Sequence, residues 1–227
     1  MSEVKEKNPS VETGNISVNT ENIFPIIKKS LYSDHEIFLR ELVSNAIDAS
    51  QKIAHLASIG KYKDELGELK VVVELDKEKK TITVKDSGLG MSRDEVKKYI
   101  NQVAFSGAEE FVKKFKDVKD AREIIGQFGL GFYSAFMVSS EVEIFTRSYK
   151  ENAGGVHWTC DGSTSFSLDK SERKERGTDI VMHIAEDSEE FLEAGRIKGI
   201  LDKYCKFLPF PVEFDGEVVN SVAPLWK

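Results

Sequence analysis

The sequence has no apolar run long enough to cross a bilayer, and its polar start, MSEVKEKNPSVETGN, lacks the apolar stretch of a secretory signal. We therefore expect an intracellular, cytoplasmic protein without a membrane partner. Cysteine is scarce, since only Cys160 and Cys205 occur, far apart and outside any Cys-x-x-Cys pattern. They are interpreted as buried small hydrophobic residues rather than as a disulfide, a redox pair or metal ligands. The four histidines also lack the spacing of metal ligands.

Basic residues are not in excess either, because the net charge is -7 and the isoelectric point is near 5.3. This acidic balance argues against a protein that binds nucleic acid by neutralising its phosphates. A hydrophobic content of 40% in 227 residues is typical of a globular domain with a substantial core. We expect one domain over residues 15–220, preceded by a flexible tail at residues 1–14.

Residues 33–53, SDHEIFLRELVSNAIDASQKI, are predicted to form a helix that carries a polar stripe. The Ser-x-x-Glu pattern in the first four residues is a capping box, so the helix is expected to begin there. Glu41, Asn45 and Asp48 follow at i, i+4 and i+7, which places them on one face. The other faces are apolar, which indicates burial, and buried polar groups cost roughly several kcal/mol unless they find partners. The stripe either faces solvent or lines a wet cavity that holds a ligand, and this helix alone leaves both interpretations open.

A predicted β-hairpin, with strands at 69–75 and 80–85, leads into the sequence DSGLGM, which begins at Asp86. An acid at a strand end followed by two glycines is typical of a turn, because glycine adopts left-handed backbone conformations easily. The same pattern fits the floor of a pocket, in which Asp86 accepts a hydrogen bond and the glycines let the backbone approach a flat ligand. Both interpretations stay open.

A second glycine motif, GQFGLGFYS at residues 126–134, precedes an apolar segment that is expected to be helical. Free backbone N–H groups at such a helix start can bind an anion. The spacing Gly-x-x-Gly-x-Gly is neither the dinucleotide fingerprint nor a P-loop, and no Gly-Lys-Ser/Thr occurs in the sequence. The motif therefore suggests phosphate binding without a P-loop lysine.

A charged segment precedes this motif. Between Lys113 and Glu123, eight of eleven residues are charged, and Ser106-Gly107 and Gly126 flank the segment. Such a run is usually a solvated face, and the flanking glycines are typical of hinges. We expect a lid over about residues 103–131.

The rest of the chain alternates between predicted helices and short strands. Ser92 and Glu95 have the spacing of another capping box, which predicts a helix through about residue 102. A helix is also predicted at 187–208, ended by Pro209, and the hairpin after it contains an Asp-Gly turn. The remaining predicted elements are a helix at 22–32 and strands at 15–19, 141–148, 155–160, 164–168 and 177–184. The pattern predicts an α/β sandwich with helices on one face of the sheet.

Four motifs occur in a defined order: EIFLRELVSNAIDA around Glu41, DSGLGM, GQFGLGFYS, and GTDIV at 177–181. In this order they resemble the amino-terminal nucleotide-binding domain of the heat-shock protein 90 chaperone family, and its bacterial type most of all. The resemblance covers nearly all of residues 15–227. It implies the Bergerat ATP-binding fold of the α/β class, a two-layer sandwich with a mixed, mostly antiparallel sheet and helices on one face. It also implies binding of ATP or ADP with Mg²⁺ and an ATPase that serves protein folding under stress.

The resemblance implies roles for single residues. Glu41 would orient and deprotonate the water that attacks the γ-phosphate, and Arg40 either holds this base or forms a surface ion pair. Asn45 would be the protein ligand of Mg²⁺, whose other positions would be filled by water and phosphate oxygens. Asp86 would accept a hydrogen bond from the adenine amino group, supported by Thr178. The other implied nucleotide-binding residues are Asp48, Lys52, Gly88, Gly90, Met91, Asn101, Gly129, Gly131 and Phe132.

The sequence departs from the family pattern before the lid, where Phe105 stands in place of a basic residue and the segment is shorter. In the family, the basic residue at this position of the lid contacts the phosphates, and phenylalanine cannot replace its charge. Residues 221–227 resemble the start of the linker to a middle domain, which supplies an arginine to the γ-phosphate. Such an arginine is worth roughly 10³ to 10⁵ in rate, so the 227-residue chain is expected to hydrolyse ATP slowly.

The implied partners are unfolded or partly folded client proteins and, in a full-length chaperone, a second copy in a homodimer. Ansamycin- or resorcinol-type inhibitors would occupy the ATP pocket, and no nucleic acid or membrane partner is expected. Two other functions remain open: a nucleotide sensor that does not hydrolyse ATP, and a related protein kinase that acts on histidine. The sequence shows no phosphoacceptor helix, which disfavours the kinase.

Overall fold

The computed structural model describes residues 34–102 and 131–221 of the chain. The strands in that part are β1 (Val71–Asp76), β2 (Thr81–Asp86), β3 (Ser139–Arg147), β4 (Gly155–Cys160), β5 (Ser167–Ser171), β6 (Gly177–Ile184), β7 (Val212–Phe214) and β8 (Glu217–Val218). They form one sheet in the order β5-β4-β3-β6-β2-β1-β7-β8. Neighbouring strands are antiparallel except β1 and β7, which are parallel. The predicted mixed, mostly antiparallel sheet is confirmed.

The helices of the described ranges are α1 (Ile37–Ser58), α2 (Arg93–Tyr99) and α3 (Ala194–Tyr204). Two 3₁₀ helices lie at Gly131–Met137 and Glu186–Leu192, so the segment after the second glycine motif is helical but tighter than an α-helix. No helix within residues 34–102 or 131–221 is long and apolar enough to span a membrane.

Alternation of side chains along the strands explains why the helices cover one face of the sheet. In β3, Val142 and Ile144 are fully buried, whereas Glu143 between them is partly exposed. The strands β1 and β4 alternate in the same way. Phe38 and Leu42 of α1 are fully buried in the same hydrophobic cluster as these strand residues. The result is a two-layer sandwich whose core lies between the sheet and the helices.

Turns and caps whose signals are local agree with the sequence predictions. At the start of α2, the Glu95 N–H donates to Ser92 Oγ, and the Ser92 N–H donates to the Glu95 carboxylate. In the β7–β8 hairpin, Asp215 and Gly216 have φ angles of 53° and 78°, as an Asp-Gly hairpin turn requires. Both cysteines are buried and free, as expected.

The predicted start of α1 is wrong. The helix begins at Ile37, and Glu36 precedes it without a side-chain cap. The Glu36 carboxylate instead accepts hydrogen bonds from Lys203, at 2.7 Å, and from Arg196. These two partners, Lys203 first, hold the pKa of Glu36 below its usual value despite partial burial. The Glu36 N–H donates to Asp34 Oδ1 at 3.0 Å, so its backbone has a local partner while its carboxylate is bound by α3.

The single helix predicted at 187–208 is also wrong. The chain forms a 3₁₀ helix and then α3, with Glu193 in an extended conformation between them (φ -88°, ψ 119°). Phe191 and Ile197, on either side of the break, are both buried. Because buried apolar residues lie on both sides of Glu193 in a roughly helical rhythm, the sequence pattern does not reveal the break.

The strand predicted at 164–168 is displaced, because β5 occupies Ser167–Ser171. α2 ends at Tyr99, before its predicted end at 102. The other predictions lie outside the described residues: the tail, the strand at 15–19, the helix at 22–32, Ser33, the lid up to residue 130 with Phe105, and residues 222–227.

Replacing Ile47 by alanine should destabilise the protein by about 2 to 5 kcal/mol, because this fully buried side chain of α1 would leave a cavity in the core. Ile59, just after the same helix, is 43% exposed, and Ile59→Ala is the matched control. Its expected loss is about 1 kcal/mol or less. Unfolding in guanidinium chloride, followed by circular dichroism, measures both values. Equal losses in the two variants would contradict the packing of α1.

Candidate functional site

The polar stripe of α1 lies against the start of the Gly131–Met137 helix. Glu41 and Asn45 are partly buried, and Asp48 is only 3% exposed. A Cβ atom on Gly131 would lie 2.7 Å from Glu41 Oε2 and 3.5 Å from the amide nitrogen of Asn45. A side chain at this position would therefore press on Glu41, and glycine keeps the backbone next to the stripe. The structure thus brings Glu41, Asn45 and Gly131 together.

Glu41 is held by the residue before it. Arg40 donates from Nε and Nη2 to Glu41 Oε1, at 3.2 and 2.6 Å. The Arg40 guanidinium also lies 5.7 Å from the ring centroid of Tyr204 on α3, within the range of a cation–π contact. The second carboxylate oxygen, Oε2, is the one that faces Gly131. The ion pair therefore fixes the orientation of Glu41 inside the site.

Asp86 is the last residue of β2 and pairs in register with Thr178 of β6. The residues that alternate with it along β2 are buried under the helices, so its carboxyl lies on the helix side of the sheet. The Gly88 N–H donates to Asp86 Oδ1 at 2.7 Å. Burial raises the pKa of Asp86 to about 7, although the Gly88 N–H and the charge of Arg173 oppose this shift.

The turn after Asp86 is fastened to α1 by a close approach of two backbones. A Cβ atom on Gly88 would lie 2.6 Å from both the carbonyl carbon and the Cβ of Ala49. The Leu89 N–H donates to the Ala49 carbonyl at 3.3 Å. Because Ala49 directly follows Asp48 in α1, this contact places the turn beside the polar stripe.

Thr146, near the end of β3, joins the other side of the turn. Its hydroxyl lies 2.9 Å from the Met91 N–H nitrogen, 3.1 Å from the Gly177 carbonyl and 3.0 Å from the Thr178 hydroxyl. A threonine hydroxyl satisfies all three by donating to Gly177 and accepting from Met91 and Thr178. The sequence motifs did not single out Thr146, and its available signal is a polar residue at a buried strand position.

Gly90 explains why the DSGLGM motif needs glycine in its turn. Its φ angle is +59°, and a Cβ atom would lie 1.8 Å from the Arg147 carbonyl oxygen. Both the conformation and the contact exclude a side chain. The next residue, Met91, is partly buried and packs against the core. The motif therefore forms the tight turn that the sequence predicts.

Lys52 lies one helical turn after Asp48 on α1. Burial lowers the pKa of Lys52, and the negative charge of Asp48 partly opposes this shift. The two groups therefore interact electrostatically within a poorly hydrated region. This interaction helps α1 to carry an acid at a position that is almost completely buried.

Two other predicted residues have partners at the edge of the site. Phe132 is buried, with its ring edge-on to Trp158 at a centroid distance of 5.7 Å. The Trp158 indole N–H donates to Asn101 Oδ1 at 2.9 Å. These contacts connect the end of α2 to the Gly131–Met137 helix, and they place the Phe132 side chain in the core. Gly129 lies outside the described residues.

The donor groups of the site fit a magnesium ion. Glu41 and Asn45 offer a carboxylate and an amide next to the Gly131 backbone. Mg²⁺ takes oxygen ligands, often only one or two from protein, and keeps several waters. Asp86, at the other side, is an acceptor suited to a ligand that carries an N–H donor. The arrangement thus offers an acceptor for an N–H donor at the end of β2 and oxygen ligands suited to a metal ion on α1.

The sequence matches the family described as "Histidine kinase-, DNA gyrase B-, and HSP90-like ATPase" over residues 32–188. The chain is 58% identical over 231 residues to "Chaperone protein htpG" of Bacteroides fragilis, which covers 95% of this chain and 33% of the relative. It is 54% identical over 228 residues to the HtpG of Porphyromonas gingivalis, with coverage of 94% and 33%.

A more distant relative is the "TNF receptor-associated protein 1 homolog, mitochondrial" of Dictyostelium discoideum. Its identity is 38% over 209 residues, which covers 91% of this chain and 29% of the relative. The chain therefore spans about a third of the length of the curated relatives that it matches.

The raised pKa of Asp86 predicts a pH-dependent contribution to stability. Asp86 binds its proton more tightly in the folded protein than in the unfolded chain. Its contribution to the free energy of unfolding therefore falls as the pH rises from 3.8 to about 7. Asp86→Asn removes this titration. The free energy of unfolding of the wild type, minus that of the variant, should therefore be lower at about pH 8 than at about pH 4.

Urea unfolding at the two pH values measures this difference. Asp202→Asn, at an exposed position of α3, is the matched control and should show a smaller change. A difference between wild type and Asp86→Asn that stays constant with pH would contradict the raised pKa.

Proposed function

Because the chain belongs to the histidine kinase-, DNA gyrase B- and HSP90-like ATPase family, we propose that it is the ATP-binding domain of a heat-shock protein 90 type chaperone. One observation carries this proposal: three motifs that are distant in the sequence meet at one place. Glu41 and Asn45 of α1 face Gly131, and Ala49 of the same helix holds the turn that follows Asp86. These motifs supply three walls of one nucleotide site.

Asp86 recognises the adenine base in this proposal. Its carboxylate, fixed by the Gly88 N–H, accepts a hydrogen bond from the amino group of adenine. Thr178 supports the carboxylate from the neighbouring strand, and Thr146 ties Thr178 to Met91, which lies against the base. Burial raises the pKa of Asp86 to about 7. An N–H donor from the ligand opposes this shift, because it stabilises the ionised carboxylate.

Asn45 is the protein group that holds Mg²⁺, with water and phosphate oxygens as the other ligands. The ion supplies neutralising charge at the phosphates. Gly131 and Phe132 direct backbone N–H groups at the same phosphates, in place of a P-loop lysine. Asp48 and Lys52 line the wall of α1 below Asn45, where their opposite charges limit the cost of burial.

Glu41 is the catalytic residue for hydrolysis. Arg40 occupies its Oε1 oxygen, so Oε2, which faces Gly131, takes a proton from the attacking water. The water oxygen bonds to the γ-phosphorus, and the bond to the ADP oxygen breaks. Arg40 acts as a positioning residue, supported from α3 by Tyr204. Support for this assignment is the orientation of the carboxylate, which points one oxygen at the site.

The functions of a whole chaperone extend this proposal, and they are supported by the similarity of the chain to HtpG chaperones. Nucleotide binding would close the lid at about residues 103–131 and promote dimerisation of two copies. The clients would be unfolded or partly folded proteins in the cytoplasm. Ansamycin- or resorcinol-type inhibitors would compete for the adenine position at Asp86.

A calorimetric titration of the protein with ADP, with and without Mg²⁺, tests nucleotide binding directly. Asp86→Asn should weaken binding about tenfold or more, because the amide loses the charge that favours the adenine N–H donor. Asn45→Ala should bind ADP equally with and without Mg²⁺, since it lacks the metal ligand. The exposed control Asp202→Asn should bind like the wild type. Full affinity in Asp86→Asn would contradict the assigned adenine contact.

Glu41→Gln separates hydrolysis from binding. Glutamine keeps the size and the contact with Arg40 but cannot take a proton, so ATP hydrolysis should fall about a hundredfold or more while the dissociation constant of ADP changes little. Phosphate release under single-turnover conditions measures the rate, with exposed Glu217→Gln as the control. An unchanged rate in Glu41→Gln would contradict the role of Glu41. Tight binding with no hydrolysis in the wild type would instead support a nucleotide sensor.

A further inference from the structure

The face of the sheet opposite α1 carries a group of histidines and glutamates. Glu141 and Glu143 lie on β3, His157 on β4 and His183 on β6, at positions that alternate with buried residues. These strands are neighbours in the order β4-β3-β6. Side chains from three adjacent strands therefore converge on the face that Asp86 does not use. The histidine spacing in the sequence gave no sign of this group, because the sheet brings the residues together.

The Glu143 carboxylate bridges two imidazoles. His157 Nε2 lies 2.6 Å from Glu143 Oε2, and His183 Nε2 lies 2.8 Å from Glu143 Oε1. Ligand atoms of Glu141, Glu143 and His183 all lie within 4.8 Å of one another. The side chains of His157, Glu143 and His183 are 29%, 21% and 36% exposed, so an ion can reach them from solvent.

Neighbouring side chains hold His157 in its orientation. The Phe145 ring stacks on the imidazole, with centroids 4.2 Å apart and 7° between the planes. Thr159 Oγ1 lies 3.2 Å from His157 Nε2. Because β3 is paired on both sides, the backbone that carries Glu143 is also fixed. The ligand atoms of Glu141, Glu143 and His183 are therefore already close together, and His157 lies beside them through its contact with Glu143.

We propose that Glu141, Glu143 and His183 bind one divalent transition-metal ion of the zinc class, with His157, which contacts Glu143, as the fourth ligand. Imidazole nitrogens and carboxylate oxygens at about 2.0 to 2.2 Å are usual ligands of Zn²⁺, and four of them complete its tetrahedral geometry. Both imidazoles already direct Nε2 at the shared carboxylate. Each imidazole binds the ion through Nε2 as the neutral tautomer that carries its hydrogen on Nδ1.

The ligand types separate this site from the magnesium site proposed at Asn45. Mg²⁺ and Ca²⁺ prefer oxygen ligands alone, whereas imidazole suits zinc, copper and nickel. Glu143 and Asp86 also lie on opposite faces of the sheet. The two sites are therefore independent, and the zinc-class site does not rest on the proposed nucleotide function.

A competition titration of the tag-free 227-residue protein with Zn²⁺ and a chromophoric chelator tests the site. We expect one equivalent of Zn²⁺ to bind in competition with the chelator. His183→Gln, His157→Gln and Glu143→Gln should each weaken this binding about tenfold or more, because each removes a ligand. His35→Gln, at an exposed position outside the group, is the matched control and should keep the affinity. Equal affinity in the wild type and in all three ligand variants would overturn the proposal.

Titration with Co²⁺ identifies the ligands independently. Four nitrogen and oxygen ligands should produce visible d–d absorption without a sulfur-to-metal charge-transfer band. A strong charge-transfer band would assign the ion to Cys160 or Cys205 and would also overturn the proposal. Thermal unfolding of each variant without metal, together with its affinity for ADP, shows whether the variant is folded. Glutamine keeps a hydrogen-bond donor at both histidine positions, so the fold is expected to persist.

Discussion

The candidate site depends on the contact between the backbones of Gly88 and Ala49. Gly88 has no side chain, and the backbone and the small Cβ of Ala49 lie directly against it, so the turn after β2 approaches α1 closely. The hydrogen bond from the Leu89 N–H to the Ala49 carbonyl gives the contact a direction as well as a distance. This contact, together with the shared core of α1 and β2, fixes the position of Asp86 relative to Glu41.

α1 has to satisfy two requirements that oppose each other. Its apolar faces form much of the core, with Phe38 and Leu42 fully buried, whereas its polar stripe places ionisable groups in a poorly hydrated region. The second requirement is met by partners: Arg40 holds Glu41, and the charge of Lys52 acts on Asp48. Losing one partner of such a pair costs stability, because the other charge is then buried alone. Pairs of this kind are typical of functional sites.

Features of the fold that are encoded in neighbouring residues could be predicted from the sequence. The β1–β2 hairpin, the Ser92 capping box and the polar stripe of α1 all depend on residues a few positions apart. What the sequence could not reveal depends on pairing across the fold. Glu36 binds Lys203 of α3 instead of capping α1. Thr146 meets Met91 because β6 lies between β3 and β2, and β2 leads into the turn that contains Met91. The roles assigned to Glu41, Asn45 and Asp86 come from the resemblance, and the structure adds the contacts that join the elements carrying them.

The register that pairs Asp86 with Thr178 affects how this protein can change over generations. Both residues stand at the ends of strands in the interior of the sheet. A slip of one residue would turn Asp86 to the opposite face, and Ile82 and Val84, both buried, would turn with it. An insertion or deletion in β2 would thus remove the acid and the core in a single step. Lineages with such a change would be lost through failure to fold, so selection for folding alone preserves the position of Asp86.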